Sequence, residues 1–176
     1  GSSIGAYNTS MRNISMPLNF YLQPHIQQMI KKLRGAHRQH KVVVLASGVF
    51  DLFHQEHENY LRAAKKAGDI LVVAIESNAR ARELKGKNRP VHDEAKRLTS
   101  VLDISEVDYA FILPEDFHTK KAYEELLIQL KPDLYAVSSH SNHQENKRAL
   151  MEKHGGKLVV VHEYNPHVST TKTLQE

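Results

Sequence analysis

After residue 40, the hydrophobic and polar positions fall into two kinds of segment. Short apolar runs rich in valine and isoleucine are typical of strands buried on both faces. Between them, apolar residues recur every three or four positions, which is the spacing of an amphipathic helix. The predicted strands are residues 42–46, 69–75, 107–113, 134–137 and 158–162, and the predicted helices are residues 55–67, 93–102, 119–130 and 142–154. This order predicts an α/β fold: a Rossmann-like parallel sheet with helices on both faces.

The first 40 residues follow a different pattern. Residues 10–19 show no sustained period. From Pro24 the apolar residues take helical spacing, and the pattern predicts one amphipathic helix that ends near Gly35. We therefore divide the chain into an N-terminal extension, residues 1–40, and a single domain, residues 41–176.

Composition narrows the class of protein. The 176 residues contain no cysteine, which excludes disulfides and thiolate chemistry. No apolar run approaches the ~18 residues of a membrane-spanning helix, so we expect a cytoplasmic protein without a membrane partner. The net charge of +4, with 12 histidines in addition, suits anionic ligands such as nucleotides. Lysine and arginine are spread along the chain without a dense block, so we expect no nucleic-acid partner.

The segment after the first predicted strand carries the candidate chemistry, because ligands of such sheets bind beyond the carboxyl ends of the strands. Gly48 lacks a Cβ and would let a ligand approach closely, whereas Phe50 is predicted to plug the core. Asp51 is placed to cap the coming helix or to hold the loop. If the helix begins near His54, then His54 and His57 share one face of its first turn. Two imidazole N–H donors aimed at one spot could stabilise charge on a phosphoryl group.

Other interpretations of the two histidines stay open. Either ring alone could be a helix cap or a half-buried polar residue. A metal site is also conceivable, since His54, Glu56 and His57 are all ligand types. However, their spacing is not HExxH, and the adjacent Glu56 and His57 point to different faces of a helix. We therefore predict no metal held by the protein's own side chains.

Residues 48–57 read Gly-Val-Phe-Asp-Leu-Phe-His-Gln-Glu-His. This stretch resembles the nucleotidyltransferase superfamily of cytidylyltransferases and adenylyltransferases, whose pattern is Gly-x-Phe-Asp, two residues, then His-x-Gly-His. The similarity covers residues 42–174 and is greatest to the small bacterial type that acts on sugar phosphates or glycerol phosphate. The further matching motifs are Gly68-Asp69, Lys85-Gly86, Arg89-Pro90, Arg97, Val107-Asp108, Pro132-Asp133, Gly155-Gly156 and Ser169-Thr170-Thr171.

The resemblance implies an enzyme that joins a nucleoside monophosphate from CTP or ATP to a small phosphorylated or hydroxylated acceptor and releases pyrophosphate. It implies that His54 and His57 stabilise the transition state at the α-phosphate, and that Lys85 contacts phosphates with Lys87 or Arg89 beside it. The nucleotide-binding residues it implies are Gly48, Val49, Phe50, Asp51, Arg97, Ser169, Thr170 and Thr171. It also implies Mg²⁺, held mainly by the triphosphate, and a homodimer.

Taken alone, several of these residues have simpler interpretations. Lys85 would belong to a solvated loop, Arg97 to the surface, and Ser169 with its two threonines to an ordinary helix cap. These alternatives stay open at the level of the sequence.

The chain departs from the family pattern on the nucleotide side. Glu56 replaces the glycine between the histidines and adds a negative charge where a nucleotide should lie. The other departures are Glu76-Ser77-Asn78 for a Ser-Asp pair, Ser138-Ser139-His140 for a Gly-Gly-Asp or Gly-Asp-Asp turn, Tyr164 where relatives often have arginine, and His167 for a glycine. They motivate an alternative function: a nucleotide-binding or regulatory module on the same fold that has lost turnover.

Overall fold

Five strands and seven helices alternate along residues 18–163, the part of the chain that the computed structural model describes. The strands are β1 (Val43–Gly48), β2 (Ile70–Ile75), β3 (Tyr109–Ile112), β4 (Leu134–Ser138) and β5 (Lys157–His162). The helices are α1 (Leu18–Leu22), α2 (Pro24–Arg38), α3 (Gln55–Lys66), α4 (Asn78–Lys85), α5 (Glu94–Leu102), α6 (Lys120–Leu130) and α7 (Gln144–Lys153). None of these helices is long and apolar enough to cross a membrane.

The strands form one parallel sheet in the order β3-β2-β1-β4-β5, which confirms the predicted fold class. β1 is central: Val43 lies opposite Ile70 of β2, and Val44 lies opposite Leu134 of β4. The chain first builds outward from β1 to β3 and then returns to add β4 and β5 on the other side. The topological switch point, where such folds bind ligands, is therefore the crevice at the carboxyl ends of β1 and β4.

Successive strand residues face opposite sides of the sheet, so the central strands are buried on both faces. Val43 and Leu45 belong to a core that α1, α2, α6 and α7 complete. Val44 and Ala46 belong to a second core that α3 and α5 complete. Helix α2 thus packs on the sheet itself, and its buried residues are Ile26, Met29, Ile30, Leu33 and Ala36.

Most element ends lie within two residues of the sequence prediction, and the structure differs further from it in three places. Helix α2 runs through Gly35 to Arg38, since Ala36 still packs against the domain. Helix α1 begins at Leu18, inside residues 10–19, where no sustained period was visible. Helix α4 occupies a stretch for which we predicted no helix; of its residues only Ala81 is buried, so it carries almost no apolar periodicity.

Three aspartates join neighbouring strands at the amino-terminal edge of the sheet. Each aspartate directly precedes one strand. Its carboxylate accepts a hydrogen bond from a backbone N–H at, or just before, the start of the neighbouring strand in the sheet. The pairs are Val42 to Asp69 at 2.7 Å, Val43 to Asp133 at 2.8 Å and Leu71 to Asp108 at 2.8 Å. These aspartates belong to three of the family-like motifs, and they lie at the edge opposite the switch point.

Candidate active site

His54 and His57 form a stacked pair at the first turn of α3. His54 is the N-cap residue, and its Nδ1 accepts a hydrogen bond from the Glu56 backbone N–H at 3.2 Å. In return, Nδ1 of His57 accepts from the His54 backbone N–H at 3.3 Å. The ring centroids are 4.0 Å apart with an interplanar angle of 19°. This is a capping box built from two imidazoles, so the cap and the candidate catalytic pair are the same two residues.

The capping bonds also fix the tautomer of both rings. A backbone N–H can only donate, so each Nδ1 must be unprotonated, and a neutral ring then carries its proton on Nε2. Burial, together with the charges of His54 and Lys85, lowers the pKa of His57 to about 3. Burial also lowers the pKa of His54, although Glu56 opposes the shift. At neutral pH both rings are therefore uncharged and are able to donate from Nε2.

The strand-to-helix turn supports the pair from beneath. Phe50 is only 4% exposed, and its ring packs on His57 at a centroid distance of 5.6 Å and on Tyr60 at 6.4 Å. A Cβ added to Gly48 would lie 3.0 Å from the Phe50 ring. A side chain at position 48 would thus press on the Phe50 ring, a constraint that the sequence did not reveal, while the predicted contact of Gly48 with a nucleotide stays a prediction. The predicted role of Phe50 as a core plug is confirmed.

Asp51 holds the loop that precedes α5 and does not cap α3, whose N-cap is His54. Its Oδ2 accepts from Arg89 Nε at 2.7 Å and from the Val91 N–H at 2.8 Å, and its Oδ1 accepts from the His92 N–H at 2.9 Å. Burial raises the pKa of this carboxyl, but these hydrogen bonds and the Arg89 charge bring it below its usual value. Of the two roles predicted for Asp51, loop holding is confirmed and helix capping is wrong.

Two cations come close to the histidine pair. Lys85 is the exposed last residue of α4, so the loop placement is wrong, and its charge contributes to the low pKa of His57. Arg89 lies behind it, only 8% exposed, and its charge lowers the same pKa. Its Nη2 atom is buried and has no hydrogen-bond partner among residues 18–163. The sequence analysis named Arg89 only as a neighbour of Lys85. The Arg89-Pro90 motif was the feature of the sequence that could have indicated Arg89 as a site residue.

Arg97 is 1% exposed, so its interpretation as a surface residue is wrong. Its Nη1 donates to the carbonyl oxygens of Val49 and Glu76, both at 2.7 Å, and Nε donates to the His92 carbonyl at 3.1 Å. Nη2 donates to Oδ1 of Asn78 at 3.1 Å. Four of the five guanidinium N–H groups are thus used within the protein, which makes Arg97 a positioning residue for Val49. Direct contact of Arg97 with a nucleotide stays a prediction.

Glu56, the main departure from the family pattern, has a partner at the end of β5. Its Oε2 lies 2.7 Å from Nε2 of His162, the last residue of β5. The two side chains are 13% and 16% exposed respectively. The carboxylate is therefore held toward the end of β5 in this structure.

Several predicted features fall elsewhere. Ser169, Thr170 and Thr171, with Tyr164 and His167, lie outside the described residues. The turn after β4 closes on itself, since the Gln144 side chain donates to the carbonyl oxygens of Ser138 and Ser139. Residues 18–163 contain no group of three or more histidine, aspartate or glutamate side chains arranged to hold a metal ion.

Comparisons with known proteins identify relatives of this chain. The chain is 30% identical over 154 residues to the bifunctional protein HldE of Desulfatibacillum aliphaticivorans, which covers 86% of the chain and 30% of that protein. It is 34% identical over 131 residues to the HldE protein of Helicobacter pylori strain Shi470, covering 74% of the chain and 27% of that protein. The chain thus spans less than a third of the length of these curated relatives.

Solved structures show the same fold. A lipopolysaccharide core biosynthesis protein from Thermoplasma volcanium superposes with a TM-score of 0.60 and 29% identity, over 71% of this chain and 99% of the other. Pantothenate synthetase from Thermus thermophilus, at 12% identity and a TM-score of 0.51, shares the fold over 82% of this chain and 68% of its own. The sequence model of the cytidylyltransferase-like family matches residues 45–175. The chain belongs to the cytidylyltransferase-like family.

Proposed function

We propose that this protein is a nucleotidyltransferase that transfers a nucleoside monophosphate from CTP or ATP to a small phosphorylated acceptor. An acceptor oxygen attacks the α-phosphorus, the bond from that phosphorus to the bridging β-oxygen breaks, and pyrophosphate leaves with the bonding electrons. The observation that carries this proposal is the stacked pair of His54 and His57, whose capping bonds to Nδ1 leave the proton of each neutral ring on Nε2. Two fixed donors at a helix N-terminus stabilise charge that develops on the α-phosphate oxygens.

The tautomers also bear on the acceptor. Because each Nδ1 is occupied by a backbone N–H and each Nε2 holds a proton, neither ring of the pair can take a proton from an alcohol. A phosphate monoester needs no such base, since its oxygens are already largely ionised at neutral pH. The pair therefore favours a phosphorylated acceptor over a hydroxylated one.

Two cations suited to the leaving group lie near enough to the pair to affect the pKa of His57. Lys85 is exposed at the end of α4, and Arg89 has a buried Nη2 without a partner among the described residues. Both can neutralise charge on the outer phosphates. A magnesium ion would be held mainly by triphosphate oxygens, because the described residues offer no cluster of carboxylates, and it would supply further charge neutralisation.

Pyrophosphate release is the direct test. The full chain is incubated with CTP or ATP and with each of a panel of sugar and polyol phosphates. His54→Asn and His57→Asn keep a side-chain acceptor for the backbone N–H but lack Nε2, so we expect kcat/KM to fall by about 10²- to 10³-fold. His118→Asn, at an exposed site remote from the pair, is the matched control and should keep full activity.

The alternative function is that of a module that binds nucleotide without turnover. The observation that motivates this alternative is the carboxylate of Glu56. The contact of Glu56 with His162 supports the enzyme instead, because it holds that charge toward β5. Calorimetry with CTP and ATP separates the two: tight binding without pyrophosphate release from any acceptor supports the module. Absence of binding by either nucleotide contradicts both functions.

A further inference from the structure

A second polar cluster lies on the other face of the sheet from the histidine pair. Glu76 directly follows β2, and like Ala74, two residues before it, it faces the core formed with α6 and α7. It is 6% exposed, and its Oε2 is buried with no hydrogen-bond partner among residues 18–163. An unpaired buried carboxyl oxygen costs about 1–3 kcal/mol, so the fold maintains it against a real penalty.

Cations surround Glu76 without pairing with it in the described part of the chain. The Nε of Arg80 is also buried and has no partner among residues 18–163, while its Nη1 pairs with Glu83. Lys147 of α7 donates to Ser141 Oγ at 3.2 Å. Burial raises the pKa of Glu76 to about 7, although the charges of Arg80, Lys147 and Arg97 oppose the shift.

Hydroxyl groups complete the cluster. Tyr135 OH and Ser47 Oγ are 2.5 Å apart, and Lys147 Nζ lies 5.4 Å from the centroid of the Tyr135 ring. Tyr123 is close enough for the charges of Glu76 and Arg80 to affect its pKa, which burial raises to about 12. The cluster thus presents a carboxyl, two cations and phenol groups at one place.

The two unpaired atoms define what could bind between them. The Arg80 Nε–H needs an acceptor, and an ionised Glu76 needs a donor. A phosphate would be repelled by the carboxylate, and an ammonium group would be repelled by Arg80 and Lys147. A hydroxyl group both donates and accepts, so a single hydroxyl can satisfy both atoms at once.

Hydrogen bonds to backbone atoms connect the cluster with the candidate active site. The Glu76 N–H donates to the Gly48 carbonyl at 3.0 Å, and Arg97 Nη1 bonds both Glu76 and Val49. Ser47 and Tyr135 lie on β1 and β4, the strands that flank the switch point. A ligand whose phosphate meets the histidine pair could therefore extend its other end across the strand ends to Glu76.

We propose that Glu76, Arg80 and Lys147 form a subsite that binds hydroxyl groups of a sugar or polyol phosphate acceptor. The proposal rests on the proposed nucleotidyltransferase function, and it assigns Glu76-Ser77-Asn78, one of the departures from the family pattern, to acceptor recognition. Glu76 reads the hydroxyl groups, and the histidine pair acts at the phosphate being joined.

The test uses the full chain with D-glucose 1-phosphate, D-mannose 1-phosphate and glycerol 3-phosphate as probes. Calorimetry without nucleotide measures the binding of each probe, and steady-state kinetics measures KM for the probe and for the nucleotide. Glu76→Gln keeps the size of the side chain, and Lys147→Met is a second variant. Glu124→Gln, at a half-buried glutamate that pairs with Lys153 of α7 and with His154, is the matched control.

We expect Glu76→Gln and Lys147→Met to weaken binding of the best probe by at least about tenfold while the KM for nucleotide stays within about twofold. Removing the responsible hydroxyl, as in a deoxy analogue of that probe, should cost the wild type about tenfold and the Glu76→Gln variant almost nothing. Glu124→Gln should behave as the wild type.

The outcomes separate this subsite from the proposed function. If a probe binds and Glu76→Gln weakens that binding but no nucleotide is turned over, the subsite stands and the nucleotidyltransferase proposal fails. If turnover occurs and Glu76→Gln leaves the probe's KM unchanged, the subsite is wrong and its unpaired atoms belong to buried water. If no probe binds at millimolar concentration, the subsite is also wrong.

Discussion

Oε2 of Glu56 and Nε2 of His162 lie 2.7 Å apart, although 106 positions separate the two residues in the chain. Glu56 belongs to the first turn of α3, between the two histidines of the candidate pair, and His162 ends β5. The contact holds a carboxylate that would otherwise be free to approach a bound triphosphate.

Releasing this carboxylate should weaken nucleotide binding. In His162→Ala, Glu56 loses its partner and can turn toward the phosphates, which it repels. We expect the Kd for CTP or ATP to rise by about tenfold, or ~1.4 kcal/mol, as measured by calorimetry. The double variant Glu56→Gln/His162→Ala carries no charge to release and should bind nearly as the wild type does. An equal loss in the single and double variants would contradict this account.

The buried His57 should make stability depend on pH. Its folded pKa of about 3 is below the ~6.5 of an unfolded histidine, so between these values the unfolded chain binds more protons. The free energy of unfolding therefore falls as the pH is lowered from about 6.5, by about 2 kcal/mol at pH 5 from this residue.

Urea denaturation at pH 7 and pH 5 checks this prediction. His57→Asn does not titrate and can still cap the helix, so it should lose about 2 kcal/mol less than the wild type between the two pH values. Equal losses in the two proteins would show that His57 titrates normally in the folded state.

Asp51 should be needed for stability as well as for the site. In Asp51→Asn, the amide NH₂ replaces one carboxylate oxygen and meets N–H donors from Arg89 and Val91 or from His92. Since Arg89 would also lose its counter-charge, we expect a loss of about 3 kcal/mol in the free energy of unfolding. Asp116→Asn, at an exposed position, should change it by less than about 0.5 kcal/mol. A mild effect of Asp51→Asn would mean that the loop before α5 is held by other contacts.

Lys85 should affect binding without affecting stability. It is exposed, and its charge acts on His57, so Lys85→Met should raise the Kd for a triphosphate about fivefold while the free energy of unfolding stays within about 0.5 kcal/mol. The exposed Lys87, two residues further along the loop, provides the matched variant Lys87→Met. If both variants weaken binding equally, the effect is one of general surface charge and Lys85 has no special position.

The sequence alone predicted the sheet and its helices because burial imposes a visible period on them. The central strands are continuous apolar runs because both of their faces are buried. Helix α4 escaped prediction for the same reason, since Ala81 is its only buried residue. Glycine often ends a helix, so the sequence predicts an end near Gly35, but α2 continues to Arg38 with Ala36 buried.

The site was predictable in its histidines and much less so in their surroundings. The spacing of His54 and His57 indicates a shared turn, whereas the tautomer depends on backbone N–H groups that only the folded turn places. Three of the partners of Arg97 are backbone carbonyl oxygens from separate segments, which leave no trace in residue types. The partner of Glu56 lies on β5, 106 positions away in the chain. The residues beside Glu56 in the sequence therefore could not show that its carboxylate has a partner.

The carboxylates at the amino-terminal edge of the sheet have a consequence for how relatedness should be interpreted. Asp69, Asp108 and Asp133 each tie one strand to the next, far from any reacting atom. A descendant that had abandoned catalysis altogether would still need them in order to fold. The presence of these aspartates in a relative therefore indicates a shared fold only. Whether a relative shares the chemistry has to be judged from its residues at the carboxyl ends of the strands.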